Sequence, residues 1–287
     1  MKGAFIGDTI GMPYEFNNTN NEDFFPLLSD DATFTDDSVL TAAIAFALCK
    51  IHDDEENYRT DEQKVRAFEE ALATYTIAFP HRGYGGHFKE WAYSHIGNEG
   101  GHIPAYGSAG NGSAMRVSPV AWYAKTIEEC EHLAKLTALP THDDEDGIAG
   151  AQATAGAIFL ALHGGSKADI KAYVEKYYAL PSDYYTYKKT YRWHSLCDGT
   201  VQAALYAFLA SDSFEDTIRK SIAIGGDSDT IAAIAGPIAE AYYGLPEDLW
   251  KRVSYRFCRT KDKELIRNVE EIYKIHEENE TEKQKED

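Results

Sequence analysis

The sequence predicts an all-α protein, because apolar residues recur at helical spacing and alanine-rich segments recur along the chain. Val201, Leu205, Phe208 and Leu209 fall on one face of a helix. No alternating polar and apolar series and no regularly spaced hairpin turns indicate strands. Alanine is the strongest helix former, and it is frequent in the ranges 38–49, 114–125, 148–163, 200–210 and 230–243.

The domain organisation follows from length and from the lack of a linker. A chain of 287 residues can form a single domain, and no low-complexity segment divides it. Residues 277–287 contain six acidic residues and two lysines, which predicts an acidic tail that is either a frayed helix end or disordered. We therefore expect one helical domain in residues 1–276 and a tail in residues 277–287.

Composition excludes several classes of partner. The 47 acidic and 28 basic residues give a net charge of −19, which argues against binding a phosphate backbone or an anionic membrane. No apolar run is long enough to span a membrane, and Asp8 interrupts the first apolar stretch too early for a signal peptide. The four cysteines are far apart and form no C-x-x-C pair. Reduced thiols and a cytoplasmic location are therefore expected.

Two predicted helices begin with almost the same group of polar residues. Thr-Asp-Asp-Ser at 35–38 and Asp-Ser-Asp-Thr at 227–230 each precede an alanine-rich apolar segment. Helix capping explains one acid per helix. A second acid at the start of a buried helix needs a partner or a metal, so both interpretations stay open.

If the two groups hold metal, all the ligands are oxygens. This favours Mg²⁺ or Mn²⁺ over Zn²⁺, and four carboxylates would balance the charge of two divalent ions. The candidate ligands are Thr35, Asp36, Asp37, Asp227, Asp229 and Thr230.

Three further segments are candidates for substrate contacts. Gly3, Gly7 and Gly11 share one helical face and allow close packing, and Glu15 follows them on a predicted loop, where it could act as acid or base. The glycine-rich segment 107–112 could either make a tight connection or expose N–H groups to a phosphate. His142 precedes another apolar helix, where a lone histidine is more often a structural capping or core residue than a ligand-binding one.

Taken in order, these segments resemble the ADP-ribosylglycohydrolase family, which includes ADP-ribosylarginine and ADP-ribosylserine hydrolases. The most specific part of the resemblance is the pair of acidic motifs. The matching segments are Gly7-Asp8…Gly11…Glu15, Thr35-Asp-Asp-Ser38, Arg82-Gly-Tyr-Gly85, Gly110-Asn-Gly-Ser-Ala-Met-Arg116, Thr141-His142, Gly225-Gly-Asp-Ser-Asp-Thr-Ile231 and Ala241-Tyr-Tyr-Gly244.

The resemblance implies a compact, single-domain orthogonal helical bundle with two Mg²⁺ ions, or Mn²⁺, held by the six oxygen ligands. It implies that the protein cleaves the bond between ADP-ribose and an acceptor. Glu15, Asp36 and Asp37 would be catalytic, with Glu15 as acid or base. The implied substrate contacts are Gly83, Tyr84, Gly85, Gly107, Ser108, Gly110, Asn111, Gly112, Met115 and His142.

One position departs from the family pattern. Some relatives have an aromatic residue at Ala109 that helps to hold the nucleotide, so adenosine must be held by other residues here. ADP-ribosylated substrates and ADP-ribose are the expected ligands, and nucleic acid is expected only as a modified substrate. A two-metal phosphoester hydrolase and a catalytically silent family member are the competing hypotheses.

Overall fold

The computed structural model describes residues 1–98 and 101–286. In these residues the only β-type pairing is an antiparallel bridge between Gly110 and Leu196, and the all-α prediction is confirmed. The described residues form fifteen α-helices: α1 (Lys2–Gly11), α2 (Asp36–Asp53), α3 (Asp61–Ala78), α4 (Gly86–Tyr93), α5 (Gly112–Met115), α6 (Ser118–Tyr123), α7 (Ile127–Ala138), α8 (Glu145–Leu162), α9 (Lys167–Val174), α10 (Tyr184–Thr190), α11 (Cys197–Leu209), α12 (Phe214–Ala223), α13 (Ser228–Tyr243), α14 (Glu247–Ser254) and α15 (Asp262–Glu286).

Helices α1 and α13 pack together at backbone contact distance. A β-carbon on Gly7 would lie 2.1 Å from Ala232 O, and one on Gly11 would lie 2.5 Å from Asp229 Cα. Glycine is therefore the residue that permits this contact, as the spacing of Gly3, Gly7 and Gly11 predicts. The packing brings the end of α1 against the start of α13.

A buried carboxylate joins α1 to the start of α2. Asp8 is fully buried and accepts hydrogen bonds from the backbone N–H and hydroxyl groups of both Thr35 and Ser38. Its Oδ1 lies 2.7 Å from Thr35 Oγ1. Buried polar groups require such partners, and this set fixes the first turn of α2 beside α1. The end of α1 and the starts of α2 and α13 carry the acidic residues. They are therefore held together by the backbone contact between α1 and α13 and by the side chain of Asp8.

Two segments differ from the sequence predictions. The alanine-rich range 114–125 is divided between α5 and α6, since Pro119 lies in the first turn of α6 and cannot supply the N–H group that a continuous helix needs. From residue 277 onward the chain is helical through Glu286 in α15, so the alternative of a disordered tail is wrong for these residues. Asn279 is buried there, and its amide donates to Tyr123 O at 3.3 Å.

In the described ranges, no helix is both long and apolar enough to cross a membrane.

Candidate active site

The site is a cleft of about 410 Å³ at the starts of α2 and α13. Both predicted acidic groups line it, together with Glu15 from the loop after α1 and the glycine-rich segment before α5. Residues more than 200 positions apart thus share one cavity. The predicted residues that line it are Glu15, Thr35, Asp36, Asp37, Gly83, Gly85, Ser108, Gly110, Asn111, Gly112, Met115, His142, Asp227, Asp229 and Thr230.

Helix capping accounts for only part of the acidic pattern. Thr35 is the N-cap of α2 and accepts from Asp37 N at 3.4 Å. Asp227 is the N-cap of α13, but its side chain makes no capping hydrogen bond. Its Oδ2 instead accepts from the Asn111 amide at 2.7 Å. The carboxylates of Asp37 and Asp227 are therefore not used as caps.

The carboxylates form two overlapping groups. In each group the nearest oxygens lie within 4.8 Å of one another, and Asp229 belongs to both. One group adds Asp8 and Asp37, and the other adds Glu15 and Asp227. Among the described residues, no lysine or arginine lies within ion-pair distance of these five carboxylates. The cluster therefore concentrates negative charge without a cationic side chain to offset it.

Burial and mutual repulsion raise the pKa of several of these acids. The pKa of Asp37 is raised well above its usual range by burial and by Asp8 and Asp36. The pKa of Asp229 is raised by burial, Asp37 and Asp227. Asp37 is only 2% exposed, and its Oδ1 has no hydrogen-bond partner in the described part of the chain. A buried carboxylate oxygen without a partner is costly, and a divalent cation is the kind of ligand that would satisfy it.

Glu15 lies on a bend directly after the 3₁₀ turn Met12–Tyr14 and is half-buried at the edge of the cluster. Burial is the main reason that its pKa rises to about 7, and Asp227 and Asp8 add to the effect. A carboxyl group that titrates near neutrality can both give and take a proton. The position and pKa of Glu15 suit general acid or base chemistry.

Asn18 fixes the loop that carries Glu15. Its amide nitrogen donates to Tyr14 O at 2.6 Å, Glu15 O at 3.0 Å and Gly226 O at 2.9 Å. Its amide oxygen accepts from Gly226 N at 2.8 Å. A single side chain thus connects the Glu15 loop to the residue that precedes Asp227.

The other end of the cleft is built from the glycine-rich segment and His142. Asn111 N donates to Ser195 O at 2.8 Å, so the chain before α11 supports the glycine-rich segment. His142 is buried beneath Gly112, where a β-carbon would lie 3.2 Å from Nε2. Glycine at position 112 therefore leaves the imidazole close to the backbone of the loop.

Hydrogen bonds connect His142 to Thr141 and Arg116. Arg116 Nη2 donates to Thr141 Oγ1 at 2.9 Å, and that hydroxyl is 2.7 Å from His142 Nδ1. When the Thr141 hydroxyl is the donor in the second bond, the proton of the neutral ring lies on Nε2. Burial and then the Arg116 charge lower the pKa of His142 well below its usual value. His142 is therefore a neutral imidazole on the cleft wall.

Two predicted substrate contacts do not line the cleft. Tyr84 packs its ring on Phe88 with centroids 5.9 Å apart, and its buried hydroxyl has no partner among the described residues. Gly107 has φ of 67° and donates its N–H to Asp143 Oδ1 at 2.8 Å. Both residues support the walls from outside the cavity in this conformation.

Several residues of the site were not predicted as such. Tyr106, Trp193 and Ser195 line the cleft, whereas Asp8 and Asn18 organise it. Asp8 belongs to the first motif of the family resemblance. Its position as a charged residue among the apolar residues of α1 is the signal that could have identified it as part of the site. Trp193 and Ser195 lie between α10 and α11, where no motif marks them.

Comparison with known proteins identifies the family of this chain. A sequence model of the family described as ADP-ribosylglycohydrolase matches residues 1–283. ADP-ribosylhydrolase ARH3 from Bos taurus is 27% identical, over 86% of this chain and 84% of that protein. ADP-ribosylarginine hydrolase Tri1 from Pseudomonas putida is 30% identical, over 54% of this chain and 43% of that protein.

A solved structure described as an ADP-ribosylglycohydrolase-related protein complex has the same fold. It superposes with a TM-score of 0.64 and covers 96% of this chain and 97% of its own, at 22% identity. With its helical fold and its family match, the protein belongs to the glycohydrolase class of enzymes. The chain belongs to the ADP-ribosylglycohydrolase family, since the match extends over nearly all of its length.

Proposed function

We propose that the protein hydrolyses the glycosidic bond between ADP-ribose and an acceptor, with the help of two divalent cations. The observation that carries the metal proposal is the buried carboxylate cluster, in which the Oδ1 atom of Asp37 has no partner among the described residues. The family match and the names of the relatives support ADP-ribosyl bonds as the target.

The donor set suits Mg²⁺, with Mn²⁺ as an alternative. Hard divalent cations prefer carboxylate and hydroxyl oxygens, and every candidate ligand offers one. When bound, the cations would supply positive charge that orients the ribose hydroxyls and acidifies water. The residues that would hold them are Thr35, Asp36, Asp37, Asp227, Asp229 and Thr230.

The protein side chains have separate roles in this proposal. The glycine-rich segment and the Nε2–H of His142 bind the diphosphate and ribose oxygens. Asn111 orients Asp227 through their 2.7 Å hydrogen bond. Glu15 transfers a proton to the leaving acceptor or accepts one from the attacking water, and Asn18 holds its loop in place.

The test is release of ADP-ribose from a panel of acceptors with and without Mg²⁺. The panel contains ADP-ribosyl-arginine and ADP-ribosyl-serine peptides, and phosphoesters represent the competing enzyme class. We expect Mg²⁺-dependent release of ADP-ribose and no phosphoester cleavage. Phosphoester turnover without release of ADP-ribose would contradict the proposal and favour the two-metal phosphoester hydrolase.

Two variants test the assigned residues in the same assay. Asp229→Asn should abolish turnover and weaken Mg²⁺ binding, whereas Asp248→Asn, at a fully exposed acid on α14, should change neither. Full activity of Asp229→Asn would remove the metal assignment.

Glu15→Gln should retain ADP-ribose binding and lose about 100-fold or more in rate, which is the usual contribution of a general acid or base. Loss of ADP-ribose binding in Glu15→Gln would make Glu15 a structural residue.

We also propose a reducing, cytoplasmic location. All four cysteines are unpaired thiols, and Cys130 and Cys197 are buried. Unpaired buried thiols are typical of proteins in reducing compartments.

A further inference from the structure

A buried cation lies behind the glycine-rich segment of the cleft. Arg116 is 0% exposed, yet its side chain borders the cavity. In the described residues, no carboxylate lies within ion-pair distance of its guanidinium group. Buried charges are usually paired with an opposite charge. The charge of Arg116 is not offset in this way, so it acts on the neutral groups around it.

The guanidinium group contacts the segment that leads to His142. Nη2 donates to Thr137 O at 3.2 Å and to Thr141 Oγ1 at 2.9 Å. Nε and Nη1 are buried and have no partner in the described part of the chain. Thr137 lies in the last turn of α7, and Thr141 directly precedes His142. The hydrogen bonds of the guanidinium group therefore position the residues next to His142.

The Thr141 hydroxyl lies between the guanidinium group and the imidazole. Its oxygen accepts from Arg116 and lies 2.7 Å from His142 Nδ1. Within residues 1–98 and 101–286, its proton has no acceptor other than Nδ1. If Nδ1 were the donor instead, this fully buried proton would be left without a partner, which is unfavourable. The arrangement that satisfies both groups has the hydroxyl donating to Nδ1 and the ring proton on Nε2.

The charge of Arg116 favours the same tautomer. With the proton on Nε2, the lone pair of Nδ1 is the negative end of the ring dipole and points towards the guanidinium side. The other tautomer would point an N–H group towards that positive charge. Such interactions are strong in the interior, where water does not screen them. Burial and Arg116 lower the pKa of His142, so the ring is neutral and has only one N–H group.

The Nε2 atom lies at the glycine-rich segment. A β-carbon would lie 3.2 Å from Nε2 if added to Gly112 and 3.7 Å from it if added to Gly110, and both glycines line the cleft. No group of the described residues forms a hydrogen bond with Nε2. An N–H group at this position can donate to the oxygen of an anionic ligand, whereas a lone pair would repel it.

We propose that Arg116 is a positioning residue that acts through Thr141 to hold His142 in the tautomer with its proton on Nε2. The cleft then presents a fixed N–H donor to a phosphate oxygen of the substrate. The inference rests on the proposed function, because that phosphate belongs to the ADP-ribose which the proposed reaction releases. Arg116 itself is fully buried and does not touch the ligand. No proton is transferred along this chain of hydrogen bonds.

Nuclear magnetic resonance of the full chain with ¹⁵N-labelled histidine tests the tautomer without any ligand. Two-bond ¹H–¹⁵N correlations distinguish a protonated from an unprotonated ring nitrogen, and the spectrum of His142→Gln identifies the His142 signals by their absence. We expect the proton on Nε2 in the parent protein and in Thr141→Ser, which keeps the hydroxyl. Thr141→Val should show both tautomers. A proton on Nδ1 in the parent protein, or an unchanged tautomer in Thr141→Val, would overturn the proposal.

Calorimetric titration with ADP-ribose in MgCl₂ tests the consequence for binding. Thr141→Val and Arg116→Met should each weaken binding by about 3- to 10-fold, the equivalent of one hydrogen bond. Because both changes act through His142, neither should weaken binding further in the His142→Gln background. Thr141→Val retains Arg116, so it tests the same chain of hydrogen bonds if Arg116→Met does not fold.

The matched control removes a buried threonine hydroxyl elsewhere. Thr217 is buried on α12 outside the cleft lining, and its hydroxyl donates to Ser213 O at 2.9 Å. Thr217→Val should keep the parent tautomer and affinity. Equal losses in Thr217→Val and Thr141→Val, or a full further loss in the His142→Gln background, would show a merely structural effect and overturn the proposal. If the parent protein bound no ADP-ribose, the proposed function would be contradicted, and the resonance spectra would still decide the role of Arg116.

Discussion

Asn18 shows how one exposed side chain organises the loop that carries Glu15, the proposed general acid or base. Its four hydrogen bonds link the backbone of Tyr14 and Glu15 to that of Gly226. The Glu15 loop has no regular secondary structure beyond the preceding 3₁₀ turn. Its position relative to the carboxylate cluster therefore depends on these bonds, because such a loop otherwise samples many conformations.

Asn18→Ala should lower kcat by about tenfold, since misplacing a catalytic group by a small distance is costly. KM should change little, because Asn18 lies outside the cleft lining. Asn17→Ala, at the preceding position, is the control and should retain the parent kcat. Equal kcat values for the two variants would show that Glu15 is positioned without Asn18.

His142 gives a pH dependence of stability whose sign can be stated. Its folded pKa is lowered by burial and by Arg116, so below the ordinary histidine pKa the unfolded chain binds a proton that the folded chain does not. His142 therefore reduces stability progressively as the pH falls below about 6.5, by at most about 1.4 kcal/mol per pH unit.

Urea unfolding at pH 7.5 and at pH 5.5 measures this effect. The loss of unfolding free energy between the two pH values should be smaller for His142→Gln than for the parent protein. His81→Gln serves as the control, because His81 is exposed, and it should leave the loss unchanged. An equal loss in His142→Gln would contradict a neutral, buried His142.

At the scale of elements, the contact between α1 and α13 positions the carboxylates of Asp8 and Asp229. A β-carbon on Gly7 would lie 2.1 Å from a backbone oxygen of α13, and a backbone atom cannot move aside as a flexible side chain can. Gly7→Ala should therefore lower the unfolding free energy by about 1–3 kcal/mol through overpacking.

Gly86→Ala is the matched control. Gly86 begins α4 and a β-carbon there would meet no atom within 4 Å, so its unfolding free energy should stay within about 0.5 kcal/mol of the parent value. Denaturant unfolding measures both variants. A Gly7→Ala protein as stable as Gly86→Ala would show that α1 and α13 can separate at little cost.

The elements also show how far the sequence predicts the structure. The long alanine-rich helices and the contact face of α1 could be predicted, because helix periodicity and small-residue spacing are local properties. For residues 277–287 the sequence leaves a frayed helix end and a disordered tail as alternatives, because the buried contact between Asn279 and Tyr123 that supports the helix joins positions far apart in the chain. Composition alone indicates a charged tail and contains no sign of that contact.

The site, too, could be predicted from the sequence only where local patterns mark its residues. The two acidic groups were found because both precede apolar helices within a few residues. Trp193 and Ser195 lie in the cleft because the segment before α11 pairs with the glycine-rich segment, as Asn111 N does with Ser195 O. That pairing is set by tertiary packing. A local pattern in the sequence could not indicate it.

For the whole molecule, the acidic composition has two distinct consequences. The net charge of −19 produces general repulsion that added salt screens. The buried carboxylate cluster is different, because screening is weak in the interior and the acids come from α1, α2, α13, the loop after α1 and the residue before α13. A cation bound there would connect elements from both ends of the chain.

Mg²⁺ should therefore raise the melting temperature beyond the effect of ionic strength. A ligand at about 100 times its Kd adds about 2.7 kcal/mol to the folded state, which corresponds to about 5 °C or more for a protein of this size. Differential scanning fluorimetry in MgCl₂, in NaCl of equal ionic strength and in EDTA separates specific binding from screening. Asp37→Asn should lose most of the Mg²⁺ effect and keep the NaCl effect. If NaCl raised the melting temperature as much as MgCl₂, the cluster would not be a cation site, and its carboxylates would have to be stabilised by protonation instead.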